Sequence, residues 1–365
     1  MKIGIFGGTF NPPHKTHEQI VLRAKEQLGL DKIIVFPCGD PPHKICEVSK
    51  FVRLKMAEMA FGDIAEVDDY EICKQGKSYT VDTLRYVKNS YPNAQLYLII
   101  GGDSFFDFSS WHEPYVVAQL ATIAVVGRGE DITSEQVEEF KRKFNCDVEL
   151  ISHEPDFISS SEVRLKYQFG LSVKDVVSNV VDDFISERRL YHNYFAMTQK
   201  LRYMLTDKRY LHTFYVVKRG QELAPTELKQ KAFLACLLHD CAKYVTDDRF
   251  SEYGFTPSPD MPKSVLHAFL GAIIAEKEFG IDDAEVLNAI KYHCTAHSKM
   301  TLLEKIVYVA DKTEETRPYP VKHLLQGTLD DMFIACLKEA SEFCSRDNGN
   351  VYYLTKQALD YYIKK

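Results

Sequence analysis

Long apolar runs are absent from this chain of 365 residues. None approaches the roughly 20 consecutive residues that cross a bilayer. The opening MKIGIFGG lacks the extended apolar region and small-residue cleavage site of a secretory signal, and reads instead as a strand entering a turn. The 9 cysteines include no CxxC pair and are odd in number, which speaks against a disulfide framework and for free thiols in a reducing cytoplasm. Cys236 and Cys241 are expected to be packing residues. There is one tryptophan, no internal repeat and no low-complexity tract. Excess positive charge is also missing: the formal net charge is −7, which argues against bulk nucleic acid as the main partner. Phosphorylated small molecules stay in play, because a local nest of amides binds an anion on an acidic protein. The expectation is a cytoplasmic protein with no membrane and no nucleic-acid partner; the sequence leaves a homo-oligomer open.

What is present suggests two domains. Up to about residue 190, short apolar runs alternate with amphipathic stretches. Ile3–Phe6, Lys32–Pro37, Leu96–Ile100, Thr122–Gly127 and Val148–Ile151 read as buried strands. His17–Leu28, Lys50–Ala60, Thr80–Asn89 and Ser134–Phe144 read as helices between them. That alternation predicts an α/β, Rossmann-like parallel sheet, with ligands bound beyond the carboxyl ends of the strands. A single helix is expected over Val173–Arg189. After about Leu190 the strand signals fade, and the remainder reads as an all-α domain. No Gly/Ser linker marks the join; the boundary is set at 1–192 and 193–365.

The run GGTFNPPHKTH, Gly7 to His17, follows directly on the first strand. Its glycines permit a tight turn and close approach of backbone to phosphate. His14 and His17 are three apart, so at a helix start both face one side. A helix N-terminus adds amide donors. The product is an anion pocket with two imidazoles, suited to nucleotidyl transfer, which needs positioning and charge stabilisation rather than a covalent intermediate. Ser159 and Ser160 in ISSSEVR (Ile158–Arg164) can cap the helix that follows, and Arg164 supplies a fixed cation for phosphates.

These two motifs resemble the HxGH-type and ISSTxxR signatures of the nucleotidylyltransferase superfamily, with Thr16 where the first usually has glycine. Three further runs resemble one branch, the nicotinate-nucleotide adenylyltransferases: Pro41–Lys44 (PPHK), Ser78–Leu84 (SYTVDTL) and Ile100–Trp111 (IGGDSFFDFSSW). The resemblance implies that His14 and His17 are catalytic. It implies ATP and phosphate contacts from Gly7, Gly8, Thr9, Phe10, Ser159, Ser160 and Arg164. It places nicotinate mononucleotide against Lys44, Thr80, Asp82, Asp103 and Trp111, with the indole stacked on the pyridinium. Arg128 is a further candidate for the adenine or phosphate side. Magnesium is expected with the ATP. Pantetheine phosphate and nicotinamide mononucleotide are the alternative acceptors; PPHK, SYTVDTL and Trp111 speak against the first.

In the helical half, His239 and Asp240 are adjacent, and His212, His267, His293 and Asp311 each sit on or at the end of an expected helix. Six nitrogen and oxygen donors suit two metals such as iron, manganese or zinc, with Asp240 a natural bridge. Such a site can clamp both oxygens of a phosphoanhydride displacement. The half resembles the HD superfamily of metal-dependent phosphohydrolases, and within it the YqeK-type symmetrical dinucleoside-tetraphosphatases. The matching pieces are RYLHTFYV (Arg209–Val216), ACLLHDCAK (Ala235–Lys243), HAFLGA (His267–Ala272), AIKYHCT (Ala289–Thr295) and KIVYVADKTEETR (Lys305–Arg317). That resemblance implies a catalytic Asp240, one or two transition metals (iron or manganese), phosphate contacts from Lys243 and Arg317, and a dinucleoside polyphosphate as substrate. Ala296-His297 stands where the family pattern has Gly-Arg. A non-catalytic nucleotide sensor, a dimerisation module or action on another nucleotide phosphoanhydride are the other readings of this half.

Overall fold

The computed structural model describes the chain outside residues 42–45, 128–131, 153–157, 347–350 and 364–365, with no side-chain description at 343–346. Lys44 and Arg128 therefore lie outside the described residues. The chain divides into two compact units, Met1–His192 and Asn193–Lys365. Among the described residues, no helix is long and apolar enough to cross a membrane.

The first unit is built on six parallel strands: β1 (Lys2–Gly8), β2 (Lys32–Pro37), β3 (Glu66–Val67), β4 (Gln95–Gly101), β5 (Thr122–Gly127) and β6 (Val148–Ser152). Their order is β3-β2-β1-β4-β5-β6. The helices are α1 (Lys15–Leu28), α2 (Lys50–Phe61), α3 (Tyr70–Cys73), α4 (Thr80–Ser90), α5 (Gly102–Phe106), α6 (Pro114–Leu120), α7 (Ser134–Phe144), α8 (Ser160–Phe169) and α9 (Asn179–Glu187). The middles of the central strands are apolar because both faces are covered, whereas the edge strands β3 and β6 expose Glu66 and Glu149. Ile3, Ile5, Ile34, Phe36, Leu98, Ile123 and Val125 enter one core; Phe6, Ile33, Val35, Ile99, Ala124 and Val126 enter the other. Register follows this alternation, with Ile5 opposite Ile34 on one side and Leu98 on the other. The strand order reverses at β1, so the binding crevice opens beyond Gly8 and Gly101, the ends of β1 and β4.

One expectation is corrected. Val173–Arg189 is not a single helix; α9 covers only Asn179–Glu187, after Ser178 in extended backbone (ψ 146°). The preceding turn is fixed by other bonds: the Val176 and Val177 amides donate to Val173 O, and Val176 O accepts from the Lys15 amide at 2.9 Å. The segment is thus a strap across the start of α1.

The second unit is helical. It comprises α10 (Phe195–Met204), α11 (Asp207–Leu223), α12 (Lys229–Leu238), α13 (Lys263–Phe279), α14 (Ala284–Tyr292), α15 (Leu302–Thr313), α16 (Leu329–Arg346) and α17 (Tyr353–Tyr362). α15 is its axis: Ile306 through Ala310 are all buried. Its start is fixed by a capping box, in which the Glu304 amide donates to Thr301 Oγ1 and the Thr301 amide to Glu304 Oε2. Cys236 and Cys241 are buried, and Cys241 Sγ donates to Gly271 O at 3.4 Å. Ala296 adopts a left-handed φ of +54°. A glycine would occupy that backbone without strain, which gives the Gly of the family pattern its physical reason.

Candidate active sites

In the first unit, β1 delivers the chain to Gly7 and Gly8, which differ in what they face. A Cβ on Gly8 would meet two carbons of the Phe10 ring at 2.7 and 2.8 Å, whereas on Gly7 it would meet nothing within 4 Å. Gly8 is therefore glycine for the sake of Phe10, and Gly7 is the one with open space above it. Phe10 (2% exposed) packs its ring edge against His17 at 5.2 Å and also meets Phe6 and Phe61. Any contact it makes with a nucleotide is through backbone.

His14 precedes α1 as its N-cap, and its ring lies 3.7 Å from that of His17, centroid to centroid. The His14 amide donates to His17 Nδ1 at 3.2 Å, which fixes the His17 tautomer. Burial pushes the His14 pKa down to about 4. Burial, then the neighbouring His14, hold His17 well below its usual value too. Both are neutral near pH 7. His14 Nδ1 is buried with no hydrogen-bond partner. The helix start offers fewer amides than the sequence suggests, since Lys15 N is taken by Val176 O and His17 N by His14 O. Thr16 is buried within this turn.

The second motif meets the first directly. Ser159 caps α8, accepting from the Glu162 amide at 3.1 Å. Ser160 Oγ donates to Pro12 O at 2.9 Å, and Arg164 donates to Asn11 O at 2.8 Å and to Glu47 Oε1 at 3.0 Å. Asn11 in turn donates to Glu47 Oε2 and accepts from Tyr191 OH. Arg53 is a residue that the sequence reading missed. It is 1% exposed, and its guanidinium donates to Thr9 O, Cys38 O and Gly39 O at 2.8, 2.5 and 2.6 Å. It ties the loop after β1 to the loop after β2. Arg53→Met leaves three carbonyls without their donor, and at about 1 kcal/mol each, less the relief of a buried charge, should destabilise this unit by about 2–3 kcal/mol. For a domain of this size, that is a fall of roughly 4–12 °C in the midpoint of thermal unfolding; an unchanged midpoint would show that the staple is dispensable.

On the acceptor side, Thr80 and Asp82 lie in the first turn of α4, Asp82 in an ion pair with Lys74 and 3.9 Å from Arg85. Ser78 just before them accepts from the Gly39 amide at 3.2 Å, which anchors this segment to the loop after β2. Asp103 follows β4 at the crevice and is exposed. Trp111 is half-buried and tilted on Phe108 at 5.1 Å, resting on the core. No described contact joins Trp111 to His14 or His17.

In the second unit the six sequence-selected donors converge. His212 comes from α11, His239 and Asp240 from the end of α12, His267 from α13, His293 from the end of α14 and Asp311 from α15. His212 Nε2 lies 3.3 Å and His239 Nε2 3.7 Å from Asp311 Oδ1. Asp240 turns Oδ1 to His267 Nε2 (3.0 Å) and His293 Nε2 (3.7 Å), and Oδ2 to His239 Nε2 (3.5 Å). Asp240 thus stands between the pair His267–His293 and the triad His212, His239 and Asp311.

The residues fit a divalent ion. His212 Nε2, His239 Nε2 and Asp240 Oδ1 are buried and have no hydrogen-bond partner. The opposite ring nitrogens are committed: His239 Nδ1 to Cys236 O and His293 Nδ1 to Ile290 O, both at 2.7 Å, and His212 Nδ1 to Glu314 Oε1 at 3.1 Å. Such outer bonds aim Nε2 inward. Burial opposes ionisation of Asp240 and Asp311. The imidazoles around Asp240, and Arg317 and His212 beside Asp311, outweigh it and hold both carboxyls well below the usual range.

Cations rim this cluster. Lys243 Nζ is 3.1 Å from His267 Nε2 and 3.8 Å from Asp240 Oδ1. Arg317 donates to Asp311 Oδ1 at 2.6 Å and, through Nε, to Asp311 O at 2.7 Å. Arg209, which carried only a motif match in the sequence, reaches Asp240 Oδ2 at 3.0 Å. Glu314 and Cys294 also belong to this site without having been singled out. His297 turns away, to Glu304 Oε1 at 3.2 Å.

Fold and sites together define a nucleotidylyltransferase-type sheet unit followed by a helical unit with an HD-type cluster of His and Asp residues that could hold a metal. The family models agree: residues 5–166 match the cytidylyltransferase-like family and residues 209–316 the HD domain. Among curated relatives, a Citrifermentans bemidjiense protein named "Probable nicotinate-nucleotide adenylyltransferase" is 36% identical over 212 residues, covering 52% of this chain and 98% of its own. A Mycoplasma genitalium protein named "Probable nicotinate-nucleotide adenylyltransferase/Ap4A hydrolase" is 28% identical, over 87% of this chain and 88% of its own. A solved structure described as a predicted HD superfamily hydrolase involved in NAD metabolism, from Clostridium acetobutylicum, is 32% identical, covering 47% of this chain and 97% of that one, with a TM-score of 0.44. The chain belongs to the nicotinate-nucleotide adenylyltransferase family, with an HD domain following.

Proposed function

We propose that this is a bifunctional enzyme of NAD biosynthesis, with residues 1–192 as the adenylyltransferase and 193–365 as the phosphohydrolase. In the first unit, a phosphate oxygen of nicotinate mononucleotide attacks the α-phosphorus of ATP; the bond to the β-phosphate breaks, and nicotinate adenine dinucleotide and pyrophosphate result. The observation that carries this reading is the close, neutral pair His14–His17 beyond the end of β1, its rings tilted by 33°, with a partnerless ring nitrogen on His14. As neutral donors they can hydrogen-bond the charge that builds on the transferring phosphoryl oxygens. Arg164 and Ser160 stand beside them as phosphate contacts. Asp82, Asp103 and Trp111 serve the pyridine nucleotide, as does Lys44. Magnesium enters with the ATP, held mainly by its phosphates and water.

In the second unit, His267 and His293, which face Asp240, and His212 and His239 with Asp311 would hold two divalent ions, iron or manganese by their nitrogen and oxygen donors. Ions there supply Lewis-acid charge to a phosphoanhydride. Lys243, Arg209 and Arg317 contribute positive charge for a polyphosphate chain, and the substrate is diadenosine tetraphosphate, cleaved by water to ADP.

One assay tests both halves: product analysis of the whole chain with ATP and either pyridine mononucleotide, then with diadenosine tetraphosphate and added iron or manganese. Preference for nicotinamide mononucleotide overturns the acceptor assignment. Failure to release ADP makes the second unit a binding module.

A further inference from the structure

Cys294 directly follows His293 and is partly exposed. Its Sγ stands 3.2 Å from His293 Nε2 and 3.4 Å from His267 Nε2. These are the nitrogens that face Asp240 Oδ1, an atom that is buried and without a hydrogen-bond partner on a residue only 2% exposed. The sulfur therefore lies on the inward edge of both rings, not on the Nδ1 edge of His293, which is bonded to backbone. With metal–nitrogen bonds of about 2.05 Å and metal–sulfur bonds of about 2.3 Å, N and S donors on one ion lie roughly 3.1 Å apart at a right angle and roughly 3.6 Å apart at a tetrahedral angle. Both observed separations fall inside that interval. The other triad, His212, His239 and Asp311, contains no sulfur.

We propose that Cys294 is a thiolate ligand of the ion held by His267, His293 and Asp240, so that the two metal positions of the HD site differ chemically. One position offers two imidazoles, a carboxylate oxygen and a sulfur; the other offers only nitrogen and oxygen. This rests on the metal-binding reading of the second unit. Binding moves the thiol proton to solvent as the sulfur–metal bond forms. A sulfur donor favours zinc, cobalt or ferrous iron over manganese or magnesium at that position. It also makes that position the one lost on thiol oxidation.

The test is a cobalt(II) titration of the full chain, read by absorbance and equilibrium dialysis. Wild type should develop a near-ultraviolet thiolate-to-cobalt charge-transfer band along with the weak visible bands of bound cobalt. Cys294→Ser should keep the visible bands and lose the charge-transfer band. Affinity at one position should weaken by more than the roughly 10–100-fold that loss of an outer-shell partner causes. Cobalt bound without the band in wild type, or an equal band in Cys294→Ser, overturns the assignment. No cobalt bound at all overturns the metal reading on which it rests. A second measurement needs no variant: bound metal should protect Cys294 from alkylation by iodoacetamide, read on its peptide by mass, and equal labelling with and without metal counts against ligation.

Discussion

Asp240→Asn should lower the release of ADP from diadenosine tetraphosphate by about 10³-fold, the several kcal/mol that a correctly held Lewis acid contributes to a displacement at phosphorus. The change is nearly isosteric, so packing is preserved while the carboxylate that stands between the two donor groups loses its charge and one acceptor oxygen. Three imidazoles approach Asp240 within 3.0 to 3.7 Å, and Arg209 lies 3.0 Å away. Metal content of the purified variant, by elemental analysis, should fall together with hydrolysis. Formation of nicotinate adenine dinucleotide should be unaltered, which separates loss of a site from loss of the protein. Full metal content with full hydrolysis in the variant would sink the role given to Asp240.

Much of this architecture was legible because burial leaves a mark on residue type. For β2 and β5 the sequence predicts both ends, Lys32–Pro37 and Thr122–Gly127, since both faces of a central parallel strand must be apolar. β3 was not, since two residues, Glu66 and Val67, carry no period. The helix expected over Val173–Arg189 failed because apolar spacing is blind to hydrogen bonds made far along the chain, here Lys15 N to Val176 O. The site divides in the same way. The six HD donors were found as residue types with motif support, and they converge. Arg53 was missed because a lone arginine on a helix normally signals a solvated face; its role comes from three carbonyls of two distant loops. Cys294 was passed over because a scattered thiol is ordinarily packing, and only the fold sets its sulfur against two imidazoles. Phe10 went the other way: a motif position assigned to the nucleotide turns out to spend its side chain on the core and on His17.

His14→Ala is expected to lower kcat for dinucleotide formation by about 10²–10³-fold, the cost of removing one preorganised donor at a developing oxyanion. KM for ATP should move far less, because Arg164 and Ser160 remain. The same substitution should act in the opposite direction on acid stability. The folded-state pKa of His14, about 4, lies below the unfolded value of 6.5, so the unfolded chain binds the proton more readily. Stability from this group is fully present above pH 6.5 and is lost as pH falls through 4. The span corresponds to about 3 kcal/mol. An alanine has no proton to refuse, so the variant's unfolding midpoint should decline less than wild type's between those pH values, read by thermal melts in parallel buffers. Buried His17, also depressed, continues to titrate and leaves part of the slope in place. A purely structural histidine would give a stability change without the kcat loss. A catalytic residue that was charged in the ground state would give the kcat loss with the opposite pH trend. Only a buried neutral donor accounts for lost turnover together with a flatter acid limb.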